Sequence, residues 1–391
     1  MRILSIASSS IQGGATISLI NTLLGLKKRG VEILVAVPTE GYLTNILKIH
    51  QIEYILCPIP FWAWPMEKRF YQYWKFIPKL IRLFIQEEKA YNIIKDRIKY
   101  WKPDLIHTNV SVVNLGYRLS KHLQIPHIWH IREYGDLDFN IRSIYGKKRF
   151  HRILNNSWTI CITKALKKYY GLSEKCKVIY NGIEERKSDL TPTKKDKSII
   201  FVGRLTREKG VDDVIENFIH FTKENDEYKL DLIGSCTAEY RSLLLQKIKM
   251  HGLQDRIRFL GHLRNPYKQM QNAKAIIVAS KSEGFGRITA EAMLNGCLVI
   301  GRNTAGTKEQ LDNGQKIIGE EIAIRYDDNV KLHQALHKLA SLSDEEYEKI
   351  VENAKRVVRK LYSVENNVEA TFKFIEYVLS KQNKNNTKDY D

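Results

Sequence analysis

The sequence predicts an α/β protein made of two doubly wound, Rossmann-like domains facing a central cleft, and three observations lead there. Short β-branched runs alternate with segments of helical period along almost the whole chain, the signature of parallel α/β units. The alternation stops at one polar, charged stretch near the middle and then starts again. The 391 residues, 43% hydrophobic and 27% charged, are enough for two hydrophobic cores.

The first domain, residues 1–182, offers strands at "RILSIAS", "VEILVAV", "IEYILC", "DLIHTN", "PHIWHI", "WTICIT" and "KVIYNG". The stretch "IEERKSDLTPTKKDK", residues 183–197, has the composition of an interdomain linker. The second domain, residues 198–362, restarts at "SIIFVGR" and continues through "YKLDLIG", "IRFLGH", "AKAIIVAS" and "CLVIG". Three helical patterns close the chain, over 327–342, 344–362 and 364–379. The last, in segment 363–380, can pack back across the first domain. The tail 381–391 has too little apolar content to fold, and disorder is expected there.

Arg2 leads directly into an apolar run that ends in serines, with no signal-peptide core behind it. Lys75, Lys79 and Arg82 interrupt the best candidate for a membrane span. A soluble or peripheral protein of the cytoplasm is therefore expected. The five cysteines include no Cys-x-x-Cys pair and sit mostly in apolar, strand-like settings, which suits buried thiols in a reducing compartment.

The net charge of +19 calls for an anionic partner: nucleic acid, a phosphate-bearing small substrate or an anionic membrane surface. Residues 61–102, between the third and fourth strands, carry four of the six tryptophans among interleaved lysines and arginines. Such a segment fits a membrane interface, where rings sit at headgroup depth, and it equally fits a pair of helices whose aromatics pack inward. Nucleic acid ranks last, because no motif for binding it accompanies the segment.

Three glycine-bearing loops could carry chemistry. "SSSIQGGATISLINTLLGLKKRG" runs from a strand through Gly13 and Gly14 into a helix, where open backbone and unpaired N–H groups can receive an anion. A tight turn without a ligand explains the same residues. "FVGRLTREKG" sets Arg204 and Lys209 on a strand-to-helix loop, where a planar fork and a point charge could converge on one diphosphate or simply face water. "SEGFGRITAEAMLNG" places Glu283 at a strand's carboxyl end, with Gly284 and Gly286 beside the positive end of the next helix and Glu291 early on that helix. A carboxylate can grip a vicinal diol, so two of them around an N–H-lined anion site suit a ligand made of sugar, diphosphate and ribose.

Glu283 and Glu291 at Glu-x7-Glu spacing, "GRLTREKG", the Gly13-Gly14 pair and "VIYNGI" together resemble a GT-B glycosyltransferase of the family-4 (group 1) type, of the bacterial surface-polysaccharide class. The resemblance is densest over 177–311. It implies that Arg204 and Lys209 hold the donor diphosphate and that Glu283 contacts the donor-sugar hydroxyls. Phe285 and Gly286 would present backbone N–H groups, with Gly284 in the same turn, and Glu291 would bind the ribose. Gly13 and Gly14 would close over the phosphates from the other domain. His130, in "IWHIRE", matches the histidine that such enzymes point at the donor sugar, although a hydrogen-bonded core histidine is the competing reading. The chain departs from the family where "RNTAGTKEQ" lacks the proline that many members have before the residue corresponding to Glu309.

The resemblance further implies transfer of a hexose-type sugar with retention, from a UDP-sugar, to a lipid-linked or saccharide acceptor. Glu283 and His130 are its catalytic candidates, and no metal or other cofactor is expected. The partners expected are the nucleotide-sugar donor, that acceptor and the inner face of an anionic membrane, without nucleic acid. A nucleotide-sugar epimerase on the same fold and a basic nucleic-acid- or membrane-binding protein are the rival readings.

Overall fold

The computed structural model describes residues 1–66, 74–185 and 195–388. Residues 67–73 of the aromatic segment, 186–194 of the expected linker and 389–391 of the tail lie outside the described residues. The chain divides into two compact units, one formed by Met1–Glu184 with Val364–Asp391 and the other by Glu185–Ser363.

The first unit begins with β1 (Arg2–Ile6), α1 (Gly14–Lys28), β2 (Glu32–Val37), α2 (Tyr42–Ile49), β3 (Glu53–Leu56) and β4 (Ala63–Pro65). It continues through α3 (Ile77–Trp101), β5 (Leu105–Thr108), α4 (Leu115–Leu123), β6 (His127–Ile131), α5 (Asp136–Phe139) and β7 (Ile141–Ser143). Then come α6 (Lys147–Asn155), β8 (Trp158–Cys161), α7 (Lys164–Tyr169) and β9 (Cys176–Val178). Seven of these strands form one parallel sheet in the order β3-β2-β1-β5-β6-β8-β9, and each overlaps one of the seven runs expected from the sequence. Such runs are legible because strands of a parallel sheet covered on both faces are nearly continuous apolar sequence.

The second unit holds β10 (Asp196–Val202), α8 (Val211–Phe221), β11 (Lys229–Ile233), α9 (Ala238–Met250), β12 (Ile257–Gly261), α10 (Tyr267–Asn272) and β13 (Ala273–Val278). It ends with α11 (Arg287–Leu294), β14 (Leu298–Arg302), α12 (Ala305–Ile318), β15 (Ile324–Tyr326), α13 (Asn329–Ser341) and α14 (Asp344–Leu361). Its six parallel strands run β12-β11-β10-β13-β14-β15. In both sheets the direction of winding reverses beside the first strand, between β1 and β5 and between β10 and β13, which is where ligands bind in folds of this kind.

The last helix, α15 (Val364–Lys388), belongs to the first unit. Its Phe374, Ile375 and Val378 join Leu19, Leu23 and Leu26 of α1 in one buried cluster. Asn367 accepts from Thr22 Oγ1 at 2.9 Å and donates to Tyr180 O at 2.7 Å. The helix passes residue 381, beyond which disorder is expected, because a helix once nucleated adds residues readily.

The aromatic segment divides in two. Leu83, Glu87, Ala90, Tyr91, Ile94 and Ile98 of α3 are buried, while Ile77, Ile81, Phe84 and Ile85, together with Trp74 before the helix, are exposed. Trp62 and Trp64 flank or lie in β4, which pairs antiparallel with β7, a ribbon that nothing in the sequence pattern announced. Among the described residues no helix is long and apolar enough to cross a membrane.

Candidate functional site

In the second unit, the loops following the two strands that flank the winding reversal carry most of the expected residues. After β10, Gly203, exposed Arg204 and a 3-10 turn over Arg207–Lys209 lead to Gly210 and α8. Gly210 has φ +78°, and a Cβ there would stand 2.7 Å from Ala279 O, so the loop from β10 is pressed against the end of β13. Only glycine meets both demands.

That contact brings Lys209 to Glu283. Lys209 Nζ donates to Glu283 Oε1, and Ser280 Oγ donates to the same oxygen at 2.9 Å. Both side chains of the pair remain about one quarter exposed. Glu283 is also fixed through its backbone, since its carbonyl accepts from Gly306 N at 3.0 Å.

The turn 284–286 is buried. Gly286, at φ +77°, caps the amino end of α11, and Gln310 Nε2 donates to the carbonyls of Phe285 and Gly286. The Phe285 ring packs edge-on to Tyr362 at 5.4 Å, and a Cβ on Gly306 would meet Phe285 O at 2.6 Å. Glu291 lies one helical turn beyond the start of α11 and is only 7% exposed. Arg287 reaches it at 2.9 Å across an i,i+4 spacing. The second unit therefore joins Lys209 to Glu283 and Arg287 to Glu291, while Arg204 stands on the exposed part of its loop.

In the first unit Gly13 precedes α1 with an extended backbone (φ −166°), and a Cβ on it would meet nothing within 4 Å. Gly14 opens the helix and is exposed. Neither backbone strain nor crowding requires glycine at position 13.

His130 lies wholly buried near the end of β6. Arg132 Nη2 donates to its Nδ1 at 3.3 Å, and His107 Nε2 lies 3.2 Å from the same atom. A guanidinium can only donate, so Nδ1 of His130 carries the lone pair and Nε2 carries the proton. His107 Nε2 must then donate as well, which leaves its Nδ1 to accept from Ser5 Oγ at 3.1 Å. The order runs from β1 through β5 to β6, three adjacent strands. Nε2 of His130 is buried and has no hydrogen-bond partner. Burial, the Arg132 charge and His107 hold the His130 pKa well below its usual value, so the ring stays neutral.

Arg132 is anchored by Asn109, through its backbone carbonyl at 3.1 Å and Oδ1 at 2.9 Å, and by Asn181 Oδ1 at 2.6 Å. Next to it Glu133 accepts from Ser111 N at 2.7 Å and Ser111 Oγ at 2.6 Å. Burial nevertheless raises the Glu133 carboxyl to about 7. His107 and Asn109 were not singled out from the sequence. The available signal was "DLIHTN", a histidine near a strand's carboxyl end, like His130. Asn181 stood inside "VIYNGI" without a role. Among the described residues no cluster of three or more His, Cys, Asp or Glu side chains is arranged to hold a metal ion.

Residues 182–357 match the family model described as glycosyl transferases group 1, and residues 12–187 match that of glycosyltransferase family 4. The chain is similar to the N-acetyl-alpha-D-glucosaminyl L-malate synthase of Bacillus anthracis, 31% identical over 150 residues, covering 35% of this chain and 38% of the relative. An uncharacterised glycosyltransferase of Methanocaldococcus jannaschii is 27% identical over 236 residues, 58% of this chain and 63% of the relative. A capsular polysaccharide biosynthesis glycosyltransferase of Staphylococcus aureus is 26% identical over 137 residues, 35% of this chain and 39% of the relative. The matches thus span between 38% and 63% of these curated relatives' own lengths. In fold, the chain is similar to Anabaena HepE solved with UDP, with TM-score 0.75 and 19% identity over 96% of this chain and 100% of the other. The same protein with UDP-glucose gives TM-score 0.74 at 20% identity, over 97% and 100%.

Proposed function

Because the chain belongs to the group 1 glycosyltransferases of the GT-B fold, we propose that it moves a hexose-type sugar from a UDP-sugar to a hydroxyl of a lipid-linked or saccharide acceptor, with retention of configuration, in cell-surface polysaccharide synthesis. One observation carries this reading: Lys209, Glu283 and Glu291 gather on the loops and helix that follow the two strands flanking the winding reversal of the second sheet. That unit is the donor side in this reading, and the first unit is the acceptor side. The UDP and UDP-glucose bound to the Anabaena neighbour support the choice of nucleotide, and the S. aureus capsular relative supports the choice of pathway class.

Arg204, Lys209 and the amino end of α11 supply positive charge for the leaving diphosphate as its charge develops. Glu291 takes the ribose diol, and Glu283 takes hydroxyls of the donor sugar. His130 offers an Nε2–H donor to the sugar, which fits its unsatisfied proton. Gly13, whose side-chain position is open, lets a phosphate reach the backbone N–H groups of α1. With no enzymic nucleophile assigned, displacement occurs on the front face, assisted by the donor phosphate.

The enzyme works at the inner face of the cytoplasmic membrane. Trp74, Ile77, Ile81, Phe84 and Ile85 recur at helical spacing and are exposed, and Lys75, Lys79 and Arg82 fall beside them in the sequence. Binding to anionic liposomes that is lost on Ile81→Glu/Ile85→Glu supports this part, and indifference to liposomes at low salt removes it.

Thermal unfolding with and without UDP, GDP, ADP and CMP tests the donor site. Ligand at 100 times its dissociation constant adds roughly 2.7 kcal/mol. A UDP-selective rise in midpoint that disappears in Glu291→Ala is expected. No shift with any nucleotide would remove the nucleotide-sugar reading.

A further inference from the structure

Positive charge is concentrated in two stretches of the chain. Residues 141–178 hold ten lysines and arginines against one acid, Glu174, a net +9, and residues 61–102 hold ten against four, a net +6. The whole chain carries +19, so the 311 residues outside these stretches carry only +4. A one-signed surface of this kind raises the local concentration of an anionic partner.

The fold brings both stretches to one face of the first sheet. Along the order β3-β2-β1-β5-β6-β8-β9, the connections through α3, α4, α6 and α7 all step toward β9, whereas those through α1 and α2 step the other way. Right-handed crossovers therefore put the first four helices on one face and α1 and α2 on the opposite one. The packing agrees. Tyr117 of α4 and Phe150 of α6 lie against the same Trp129 ring, at 5.5 and 5.8 Å, and His151 of α6 meets Tyr169 of α7 at 5.9 Å.

Helix α6 buries Phe150 and Leu154 and leaves Lys147, Lys148, Arg149 and Arg152 exposed, while α7 buries Leu166 and leaves Lys164 and Lys168 exposed. Lys147 pairs with Asp136 at 3.3 Å, but Lys148, Arg149, Arg152 and Lys168 have no acidic partner among the described residues. This basic face is continuous with the exposed apolar side of α3. Phe84 of α3 meets Trp62 edge-on at 5.5 Å, Trp62 stacks on Tyr145 at 5.1 Å, and the Arg149 guanidinium lies 5.3 Å from the Tyr145 ring.

A nucleic acid or a bilayer of anionic phospholipid could answer this charge. A nucleic acid would leave the exposed Ile77, Ile81 and Ile85 in water beside it, whereas a bilayer takes cations at its headgroups and apolar groups at the acyl boundary. We propose that the outer faces of α6 and α7 form a headgroup-binding surface for anionic phospholipid, separate from α3. Helix α3 supplies insertion, and α6 with α7 supplies the selectivity for negatively charged lipid. The inference rests on the reading that the enzyme works at a membrane face.

Vesicle co-sedimentation of the full chain tests it, with pure phosphatidylcholine and with an equal mixture of phosphatidylcholine and phosphatidylglycerol. Wild type should bind the mixed vesicles, and bind them less as salt rises. Lys148→Gln/Arg149→Gln/Arg152→Gln/Lys168→Gln should bind them on the order of 100-fold more weakly, since each cation near an anionic surface contributes roughly a five-fold factor. Its far-UV spectrum and UDP melting shift should remain those of wild type, because all four side chains are exposed. The charge-conserving Lys148→Arg/Arg149→Lys/Arg152→Lys/Lys168→Arg should bind as wild type does.

Undiminished binding by the glutamine variant would overturn the contact through α6 and α7 and leave the α3 face standing. Equal binding of wild type to neutral and mixed vesicles would overturn the lipid selectivity in the same way. Indifference of wild type to both kinds of vesicle would overturn this contact and the membrane reading together. If wild type ignored vesicles but bound a single-stranded oligonucleotide that the glutamine variant released, the surface would belong to nucleic acid instead.

Discussion

Lys209 donates its ammonium proton to Glu283 across the winding reversal of the second sheet, so the cation expected to hold a diphosphate is already bound to the carboxylate expected to hold a sugar. A diphosphate must compete with Glu283 for Lys209. The two substitutions should therefore have opposite effects on UDP. Lys209→Met should weaken UDP binding about ten-fold or more, and Glu283→Gln should bind UDP at least as tightly as wild type while losing transfer. Calorimetric titration checks this, and equal weakening by both substitutions would show that the ion pair does not gate the phosphate site.

The Arg132 guanidinium dictates which nitrogen of His130 is protonated. Long-range proton–nitrogen NMR should show His130 as the neutral Nε2–H form from pH 5 to 8, roughly the range over which an ordinary histidine titrates. Arg132→Met should give a mixture of tautomers. A wild-type ring protonated on Nδ1 would break the chain of donors from Ser5 through His107.

Glu133 yields a pH prediction with a defined sign. Its folded-state value of about 7 lies above the ordinary 4.5, so the folded chain holds the proton more tightly than the unfolded chain does. The stability this contributes is complete below pH 4.5 and is lost as the pH rises through about 7. Glu133→Gln keeps an acceptor for Ser111 and does not titrate. Its melting temperature relative to wild type should climb between those two values and level off above them; a difference that does not change with pH would contradict the burial of an ionisable group there.

Gly25 of α1 touches α15 so closely that a Cβ would stand 2.2 Å from Val368 Cγ2. Valine is stiff about its first side-chain torsion and cannot swing away freely. Gly25→Ala should destabilise the chain by about 1–3 kcal/mol despite alanine's better helix propensity. Adding Val368→Ala should restore much of the loss, and chemical denaturation of the single and double variants decides.

Much of the fold was legible because buried parallel strands announce themselves as apolar runs such as "EILVAV" and "LVIG". β15 escaped notice because it has three residues and one is Arg325, which pairs with Asp312 and Glu321. The β4–β7 ribbon was invisible because it joins residues 63–65 to 141–143 across most of the first unit. The same reason separates the two groups of expected residues. Glu283 and Glu291 lie eight positions apart, so their placement around one strand–turn–helix could be read locally. Ser5, His107, His130 and Asn181 become neighbours only through strand order and through the reach of Arg132, which no local pattern encodes.

The return of α15 to the first unit makes that unit discontinuous in the order of synthesis. As the chain leaves the ribosome, residues 185–363 emerge complete and can close their own core. Leu19, Leu23 and Leu26 of α1, made much earlier, must still wait for Phe374, Ile375 and Val378. At roughly 5–20 residues per second, the wait from the end of the second unit is a matter of seconds, but from the synthesis of α1 it is the time taken to make nearly the whole protein. The half translated first is thus the half finished last, and during that interval the uncovered stripe of α1 is the surface a chaperone would be drawn to.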